Sequence, residues 1–560
     1  MKDRLKSYVF ILILAVIVCI PLFNKDFDVY GDDGIQHVCR LMGTWQSIEE
    51  GQAFPVIMSN FCNNFGYSWN LFYSPITAYI PLLLKLFTNS YVIMLKIFML
   101  IVSFLTGISM YEFLAKVTKN KYAGLIGAAI YIFTPYRLTD MYMRIAIAEL
   151  TSFIFLPMVF QGLYNIFNYD EEDKKKSGIL LSIGAIGLIL THIIMAMYTA
   201  IFGVFYVLIH IKKLKDKIVL KKLFLNLLFI ICITSFFIAP LLEHKLSTQY
   251  EVFKPGRMER EEVLVSYKIN GRELFYTGQG NLALEIGLVT VIGFILSIFA
   301  VRKLEKRYTN LYVFSIFASV ISIIMTMKWF PFEKLPDILT MLQFPFRMLE
   351  FSSFFLTVVV AINYSLVVKN FKMRDVIILS MIAILLVVPL KKNLKYRYNI
   401  SEDRLWPAVA VTENTKRVHA GCASFEYLPS KAFENLGYIK TRKNTTYIVS
   451  GNANIIKEEK NGTNMLIELS NCEKDTTLEL PYVYYLGYTV KLENEGGIKQ
   501  LKAFESDKGF VAVKLDNKVE TGKLIVEYTG TNIMKISMAI SVMAFTVMIL
   551  YYLKKKKEGN

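Results

Sequence analysis

Long apolar runs alternate with short polar loops along the first 391 residues, and one more apolar run follows near the C-terminus. A helix needs about 20 residues to cross the hydrocarbon core of a bilayer. Basic residues concentrate in alternate loops, which places those loops and both termini in the cytoplasm by the positive-inside rule. The pattern predicts twelve membrane spans, at 8–23, 90–115, 121–137, 147–167, 177–190, 192–211, 220–241, 284–301, 309–327, 346–368, 375–391 and 532–553.

One apolar stretch, 71–87, fits this topology only if it lies on the outer surface. Counting it as a span would move the basic loop Lys116–Lys121 outside. Pro75 and Pro81 also suit an interfacial or re-entrant piece. We therefore expect interfacial helices on the outer face at about 32–88. The neighbouring spans 177–190 and 192–211 are short and suit a helical hairpin that does not fully cross.

The C-terminal third has a different pattern, with short alternating segments separated by Gly and Asn turns, which is typical of strands. The fold class predicted is a polytopic α-helical membrane protein with an extracytoplasmic β-sandwich-like domain near the C-terminus. We expect a transmembrane domain at 1–391, a β domain at 392–531, and a final span with a basic cytoplasmic tail at 532–560. The expected strands are Thr446–Val449, Met465–Leu469, Thr477–Leu480, Phe510–Leu515 and Lys523–Tyr528.

Composition agrees with a membrane protein and argues against nucleic acid as a partner. The chain is 54% hydrophobic, with a mean hydropathy of +0.41, which is too apolar for a soluble protein of this size. Its net charge of +17 lies mostly in the loops that set orientation. The six cysteines show no CxxC and no zinc spacing. Cys422 and Cys472 share the β domain and either pair or stay as free thiols.

The first candidate for chemistry is the polar cluster Gly31–Arg40, just after the first span. Residues 34–50 are amphipathic at helical spacing, which predicts a helix in the outer interface with Asp33, His37 and Arg40 on one side. Charged groups at a bilayer edge are costly unless they act on something. Asp32 is an equally placed carboxylate. The alternative is an ordinary interfacial helix with a solvated face and an Asp cap.

The second candidate lies between the third and fourth spans. Arg137, Asp140 and Arg144 share a helical face, so Asp140 can pair with either arginine and leave the other for a phosphate. Glu149 lies deeper, inside an apolar run, where a carboxylate is costly. The alternative is a structural ion pair between helix ends.

Two further polar positions are predicted to lie at the same side of the membrane. His192 marks the turn between two apolar helices, and the competing interpretation is an ordinary packing residue. Arg347 begins the tenth span, where it either snorkels or binds a lipid phosphate. Glu243-His244 ends another span. Because all of these groups fall on the outer face, we expect a single cavity that opens outwards.

At these residues the chain resembles bacterial membrane proteins called 6-pyruvoyl-tetrahydropterin synthase-related, which are close to the YfhO-like proteins and stand among the type C (GT-C) glycosyltransferases. The matching pieces follow one another in order along nearly the whole chain. They are Asp33-x-x-x-His37-x-x-Arg40, Arg144…Glu149, Thr191-His192, Phe344-Pro345-Phe346-Arg347, Glu426-Tyr427-Leu428-Pro429 and Pro481–Tyr488, where Leu486 replaces a common Pro.

This resemblance implies transfer of a sugar from a polyprenyl-phosphate donor to an extracytoplasmic acceptor, such as a cell-wall polymer or a glycolipid, at the bacterial plasma membrane. Asp33, or its neighbour Asp32, would be the catalytic carboxylate. Substrate and phosphate contacts would come from Arg144 and Arg347. A divalent metal ion is possible, without a firm ligand set. His37, Arg40 and Glu149 would orient groups or hold that metal ion. Arg137 and His192 complete the candidate substrate-binding residues.

Two other functions compete with the glycosyltransferase. A lipid-linked sugar transporter or flippase should carry polar residues through the middle of the membrane and on both sides. Apart from Lys96 and Glu112, the inner halves of the spans contain almost no charged or polar residues, which disfavours transport. A non-catalytic envelope assembly protein with the same fold is the third possibility.

Overall fold

The computed structural model describes residues 2–24, 31–168, 178–254, 265–275, 284–297, 302, 304–367, 387–394 and 425–558. Within these ranges, seven helical segments are long and apolar enough to cross a membrane, and the protein is a multi-pass membrane protein. They are Asp3–Phe23, Tyr91–Thr118, Ile147–Phe167, Lys217–Ser247, Lys306–Thr326, Pro345–Leu366 and Asn532–Lys554.

Shorter helices complete the helical part. Four are apolar, namely Ile76–Leu86, Lys121–Ile132, Ile179–Ile189 and Ile193–Ile209. The other described helical segments include Gly34–Glu49, which we name the outer helix after its predicted side of the membrane, and a π-helical turn, Asp140–Arg144. The rest are Phe61–Asn64, Trp69–Phe72, Pro135–Thr139, Ile211–Lys215, Glu251–Phe253, Leu288–Ile295, Phe332–Lys334, Asp337–Thr340, Ser430–Glu434 and Leu436–Thr441. A further helix covers 387–394.

Ten of the twelve predicted spans coincide with described helices. Seven of them match the long helices, and 121–137, 177–190 and 192–211 match shorter ones. The spans 284–301 and 375–391 lie partly outside the described residues, so the number twelve and the orientation stay predictions. The stretch 71–87 contains only short helical pieces, and its Ile76 N–H donates to Leu190 O at 3.0 Å. The 71–87 stretch therefore lies beside the turn between the helices Ile179–Ile189 and Ile193–Ile209.

The predicted span 121–137 ends early because of a proline. The helix stops at Ile132, and Pro135 begins a separate turn two residues after Phe133, since its ring cannot continue a helix. The chain then passes through the π-helical turn Asp140–Arg144 and a left-handed residue, Ile145, before the next long helix starts at Ile147. This broken corner carries the charged residues of the second candidate cluster.

The predicted β domain forms two antiparallel sheets. Its nine strands are β1 (Tyr447–Ser450), β2 (Asn454–Asn461), β3 (Asn464–Cys472), β4 (Thr476–Val483), β5 (Tyr488–Asn494), β6 (Gly497–Leu501), β7 (Ala503–Glu505), β8 (Phe510–Leu515) and β9 (Val519–Tyr528). The strand orders are β1-β4-β8-β7 and β2-β3-β9-β5-β6. All five predicted strands are confirmed. Cys422 lies outside the described residues, so the Cys422–Cys472 pair stays a prediction.

Aromatic residues join the β domain to the 61–72 segment of the helical part. The rings of Phe72 and Tyr427 stack with centroids 5.4 Å apart, and Tyr485 donates its hydroxyl to Tyr427 O at 3.0 Å. The Val483 N–H also donates to Phe65 O at 2.8 Å. Two of the motifs in the sequence, 426–429 and 481–488, therefore build this junction and hold the two parts of the chain together.

A buried arginine clamps the same junction. Arg442 binds the Glu479 carboxylate at 3.2 Å, and both side chains are almost completely excluded from solvent. Its guanidinium also lies over the rings of Phe65, from the 61–72 segment, and Phe510, from β8, at 5.4 and 4.7 Å. A desolvated ion pair is stable only while both partners are present.

Replacing Arg442 by Met should destabilise the protein by about 3–5 kcal/mol, because Glu479 is left as an uncompensated buried charge. The double variant Arg442→Met, Glu479→Gln should recover a large part of that loss. Thermal unfolding of the detergent-solubilised protein, followed by circular dichroism, measures both. Equal melting temperatures for the single variant and the wild type would contradict the clamp.

Candidate functional site

Three helical segments meet at one carboxylate. Glu149, in the first turn of the helix Ile147–Phe167, binds Arg144 Nη1 at 2.8 Å and Arg347 Nε at 3.1 Å through Oε2. Its Oε1 accepts the hydroxyl of Tyr136. Arg144 Nη1 also contacts Asp140 Oδ1 at 2.5 Å. The sequence prediction that Asp140 pairs with an arginine is confirmed, and the partner is Arg144.

A strained backbone holds Arg144 and Glu149 in place. Ile145 adopts a φ of 53°, which is costly for a β-branched residue. The segment that carries Asp33 packs directly on this turn, since the Asp33 N–H donates to Arg144 O at 2.9 Å. A Cβ added to Gly31 would lie 2.7 Å from Met143 O. Only glycine allows the two backbones to come this close.

Asp33 stands at the edge of this charged group. It occupies the N-cap position of the outer helix, yet its side chain makes no capping hydrogen bond, so the structure does not support the capping alternative. Burial raises the pKa of Asp33 to about 6, against the opposing effect of the Arg144 and Arg347 charges. Within the described part of the chain, no group forms a hydrogen bond or an ion pair with the Asp33 carboxylate.

Arg347 reaches the same place from the start of another helix. Its Nη1 donates to Leu342 O at 3.0 Å and to Gln343 Oε1 at 2.7 Å, and Gln343 itself has a left-handed φ of 65°. The guanidinium lies 4.8 Å from the centroid of the Phe344 ring. The 344–347 motif thus folds into a tight turn that places the Arg347 guanidinium in contact with Glu149.

The two arginines retain capacity for an anion. Of the residues that the structure describes, none accepts a hydrogen bond from Nη2 of Arg144 or Nη2 of Arg347. Burial and the neighbouring Glu149 charge raise the pKa of Asp140 well above its usual range. Glu149 Oε2 contacts both guanidinium groups. The open donors on the two Nη2 atoms suit a phosphate.

His192 also belongs to this group. Its Nδ1 accepts the Met195 N–H at 3.3 Å and caps the helix Ile193–Ile209, so Nε2 carries the proton of the neutral ring. The charges of Arg347, Glu149 and Arg144 act on the imidazole. The structure thus brings together Asp33, Arg144, Glu149, His192 and Arg347, which we name the charged site.

Arg40 and His37 face a different neighbour. Arg40 is 1% exposed, and its donors reach Asn70, Thr77, and the carbonyl oxygens of Tyr73 and Ser74, at 2.9–3.1 Å. Burial lowers the pKa of His37 to about 3, so its ring is neutral. The polar side of the outer helix is not solvated, and Arg40 binds the 70–77 segment rather than a position beside Glu149.

Arg137 is turned away from the charged site. Its Nη2 donates to Ser103 Oγ at 2.8 Å and its Nη1 to Ile132 O at 3.0 Å. The expectation that Arg137, Asp140 and Arg144 share one regular helical face is wrong, because the chain changes from an α-turn to a π-turn at Asp140. Arg137 ties this corner to the helix Tyr91–Thr118.

Two residues near the charged site escaped the sequence analysis. Tyr136 donates its hydroxyl to Glu149. In the sequence, its position between Pro135 and Arg137 was the feature that could have drawn attention to it. Glu350 is fully buried and lies 2.7 Å from Ser152 Oγ. A carboxylate within an apolar run, as in 346–368, is the pattern that marked Glu149, and the same reasoning applies to Glu350.

The donor set does not fit a divalent metal ion. Both oxygens of Glu149 are bound by Tyr136, Arg144 and Arg347. Over the ranges that the structure describes, no group of three or more His, Cys, Asp or Glu residues could hold a metal. Two guanidinium groups in contact with the central carboxylate would repel a cation, so we derive no step through a metal.

Comparison with known proteins identifies the family of this chain. A model of the 6-pyruvoyl-tetrahydropterin synthase related domain, described as a membrane protein, matches residues 71–397. This match covers more than half of the chain. The chain belongs to this family. Arg144, Glu149, His192 and Arg347 lie within the matched part, whereas Asp33 precedes it.

A relative is known in Lactococcus lactis subsp. cremoris (strain MG1363). It is an uncharacterized protein that is 28% identical over 259 residues, which is 45% of this chain and 42% of the relative. This chain therefore matches less than half of the relative's length. Family membership establishes a membrane protein, and the chemistry has to be argued from the charged site.

Replacing Gly31 by Ala should separate the Asp33 segment from Arg144, because the new Cβ would clash with the carbonyl oxygens of Met143 and Arg144. We expect a loss of about 1–3 kcal/mol in stability, measured as a lower melting temperature. Gly437→Ala is the matched control, since its Cβ would meet nothing within 4 Å. If both variants melt like the wild type, the proposed close approach is wrong.

Proposed function

We propose that this protein is a glycosyltransferase that moves a sugar from a polyprenyl-phosphate donor to a cell-envelope acceptor outside the cytoplasm. One observation carries the proposal. In the charged site, a carboxylate that no described residue binds, Asp33, lies within electrostatic reach of two arginines, Arg144 and Arg347. A proton acceptor beside an anion-binding pair is what transfer from a lipid phosphate requires.

Asp33 acts as the general base. Its carboxylate takes the proton of the acceptor hydroxyl while that oxygen attacks the anomeric carbon of the sugar. The bond between this carbon and the donor phosphate oxygen breaks, and the electron pair leaves with the lipid phosphate. A pKa of about 6 keeps Asp33 ionised at neutral pH and makes it a stronger base than an ordinary aspartate.

Arg144 and Arg347 bind the departing phosphate. The negative charge on the leaving oxygen grows as the bond breaks, so donors already in place stabilise the transition state more than the ground state. Glu149 holds both guanidinium groups through Oε2 and is a positioning residue. Arg40 anchors the outer helix to the 70–77 segment and thereby fixes the position of Asp33.

Substituting Asp33 by Asn should lower sugar transfer by about 100-fold to 10,000-fold, since the amide cannot accept the proton. The assay uses purified protein in nanodiscs with a radiolabelled polyprenyl-phosphate sugar and cell-wall polymer. Asp516→Asn, on the surface of the β domain, is the matched control and should transfer at the wild-type rate. Full activity in Asp33→Asn would remove this residue from the mechanism, and loss only in Asp32→Asn would assign the role to its neighbour.

The pH dependence tests the same base. Below pH 6 Asp33 is protonated and cannot accept a proton, so transfer should fall as the pH drops through about 6 and level off above about 7. Initial rates between pH 4.5 and 8.5, a range of about four units around the shifted pKa, measure the profile. A rate that stays constant down to pH 4.5 would show that no carboxylate with a raised pKa is needed.

A further inference from the structure

A second group of polar side chains lies at the junction between the helical part and the β domain, apart from the charged site. Tyr250 follows the helix Lys217–Ser247 and pairs with Pro429 through a β-bridge. Its ring stacks on Tyr485 at a centroid distance of 6.1 Å and contacts Phe72 at 4.8 Å. This packing fixes the direction of the Tyr250 hydroxyl.

The Tyr250 hydroxyl is buried without a partner. The residue is 0% exposed, and its oxygen makes no hydrogen bond within the described ranges. A second polar atom, Oε1 of Glu505, is also buried and unbound there, although Oε2 of the same carboxylate contacts Lys431 and Thr248. Leaving a buried polar atom without a hydrogen bond destabilises the protein, so a ligand hydroxyl that bonds to these two atoms gains binding free energy.

Other polar groups converge on the same place. The side chains of Tyr484, Tyr528, Glu243 and Glu505 all act electrostatically on the Tyr250 hydroxyl. Each of these four side chains is half-buried, so part of each remains exposed to solvent. They come from the end of one helix, from the 481–488 motif, and from strands β7 and β9.

We propose that this junction binds a neutral, hydroxyl-rich ligand, a sugar unit of an envelope glycan. Tyrosine rings offer flat apolar faces with polar tips, and carboxylates accept hydrogen bonds from several hydroxyls. The carboxylates of Glu243 and Glu505 disfavour an anion. None of the groups that act on the Tyr250 hydroxyl belongs to the charged site. The assignment of the sugar to an envelope glycan rests on the proposed function.

The unbound hydroxyl allows a sharp test. Tyr250→Phe removes only an atom that no described residue binds, so the melting temperature should stay at or above the wild-type value. Binding of the sugar should weaken roughly tenfold, the equivalent of one hydrogen bond. Tyr485→Phe is the matched control for stability, because its hydroxyl is bonded to Tyr427 O, and it should lower the melting temperature.

The probes are glucose, galactose and N-acetylglucosamine, titrated against the full-length protein in nanodiscs and followed by saturation-transfer NMR. Binding of one of them to the wild type, weakened in Tyr250→Phe while folding is retained, supports the site. The proposal is overturned if none of the three binds, if Tyr250→Phe binds as tightly as the wild type, or if tetramethylammonium binds there instead and shows a cation site.

Discussion

The shared carboxylate of Glu149 is the contact on which the charged site depends. It binds Arg144 from the broken corner and Arg347 from the start of a separate helix. Among the described residues Arg347 has no other carboxylate partner, and a desolvated guanidinium needs a partner charge. The Arg144 carbonyl oxygen in turn accepts the Asp33 N–H. One ion pair network thus links three elements that are far apart along the chain.

The β domain is connected to this network through the outer helix and the 70–77 segment. The outer helix that begins after Asp33 is bound through Arg40 to the 70–77 segment, and Phe72 of that segment stacks on Tyr427. The 481–488 motif then closes the junction through Tyr485. The conformation of the outer helix is therefore coupled to the β domain through an aromatic contact, which explains why motifs so distant in the chain belong to one architecture.

Sequence reasoning predicted the architecture and the main charged residues, and it failed where local geometry decides. The long helices were predicted from the length of the apolar runs, and the five expected strands from the alternation of apolar and polar residues. Both signals can be recognised in the sequence without knowledge of tertiary contacts. Helical periodicity also grouped Asp33 with Arg40, and Arg137 with Arg144. The structure separates Arg137 from Arg144, because Pro135 and the π-turn redirect Arg137. It also shows that the 70–77 segment offers Arg40 four acceptors. A one-dimensional pattern contains neither the partner segment nor the change of helix type.

Phosphate binding by the two arginines is the central claim, and one measurement addresses it directly. The ³¹P NMR signal of a short-chain polyprenyl phosphate can be followed as it is titrated with the protein in nanodiscs. The account predicts a saturable shift for the wild type that is lost in Arg347→Met, a variant that removes a guanidinium from the charged site. The same shift in that variant, or no shift in the wild type, would contradict it.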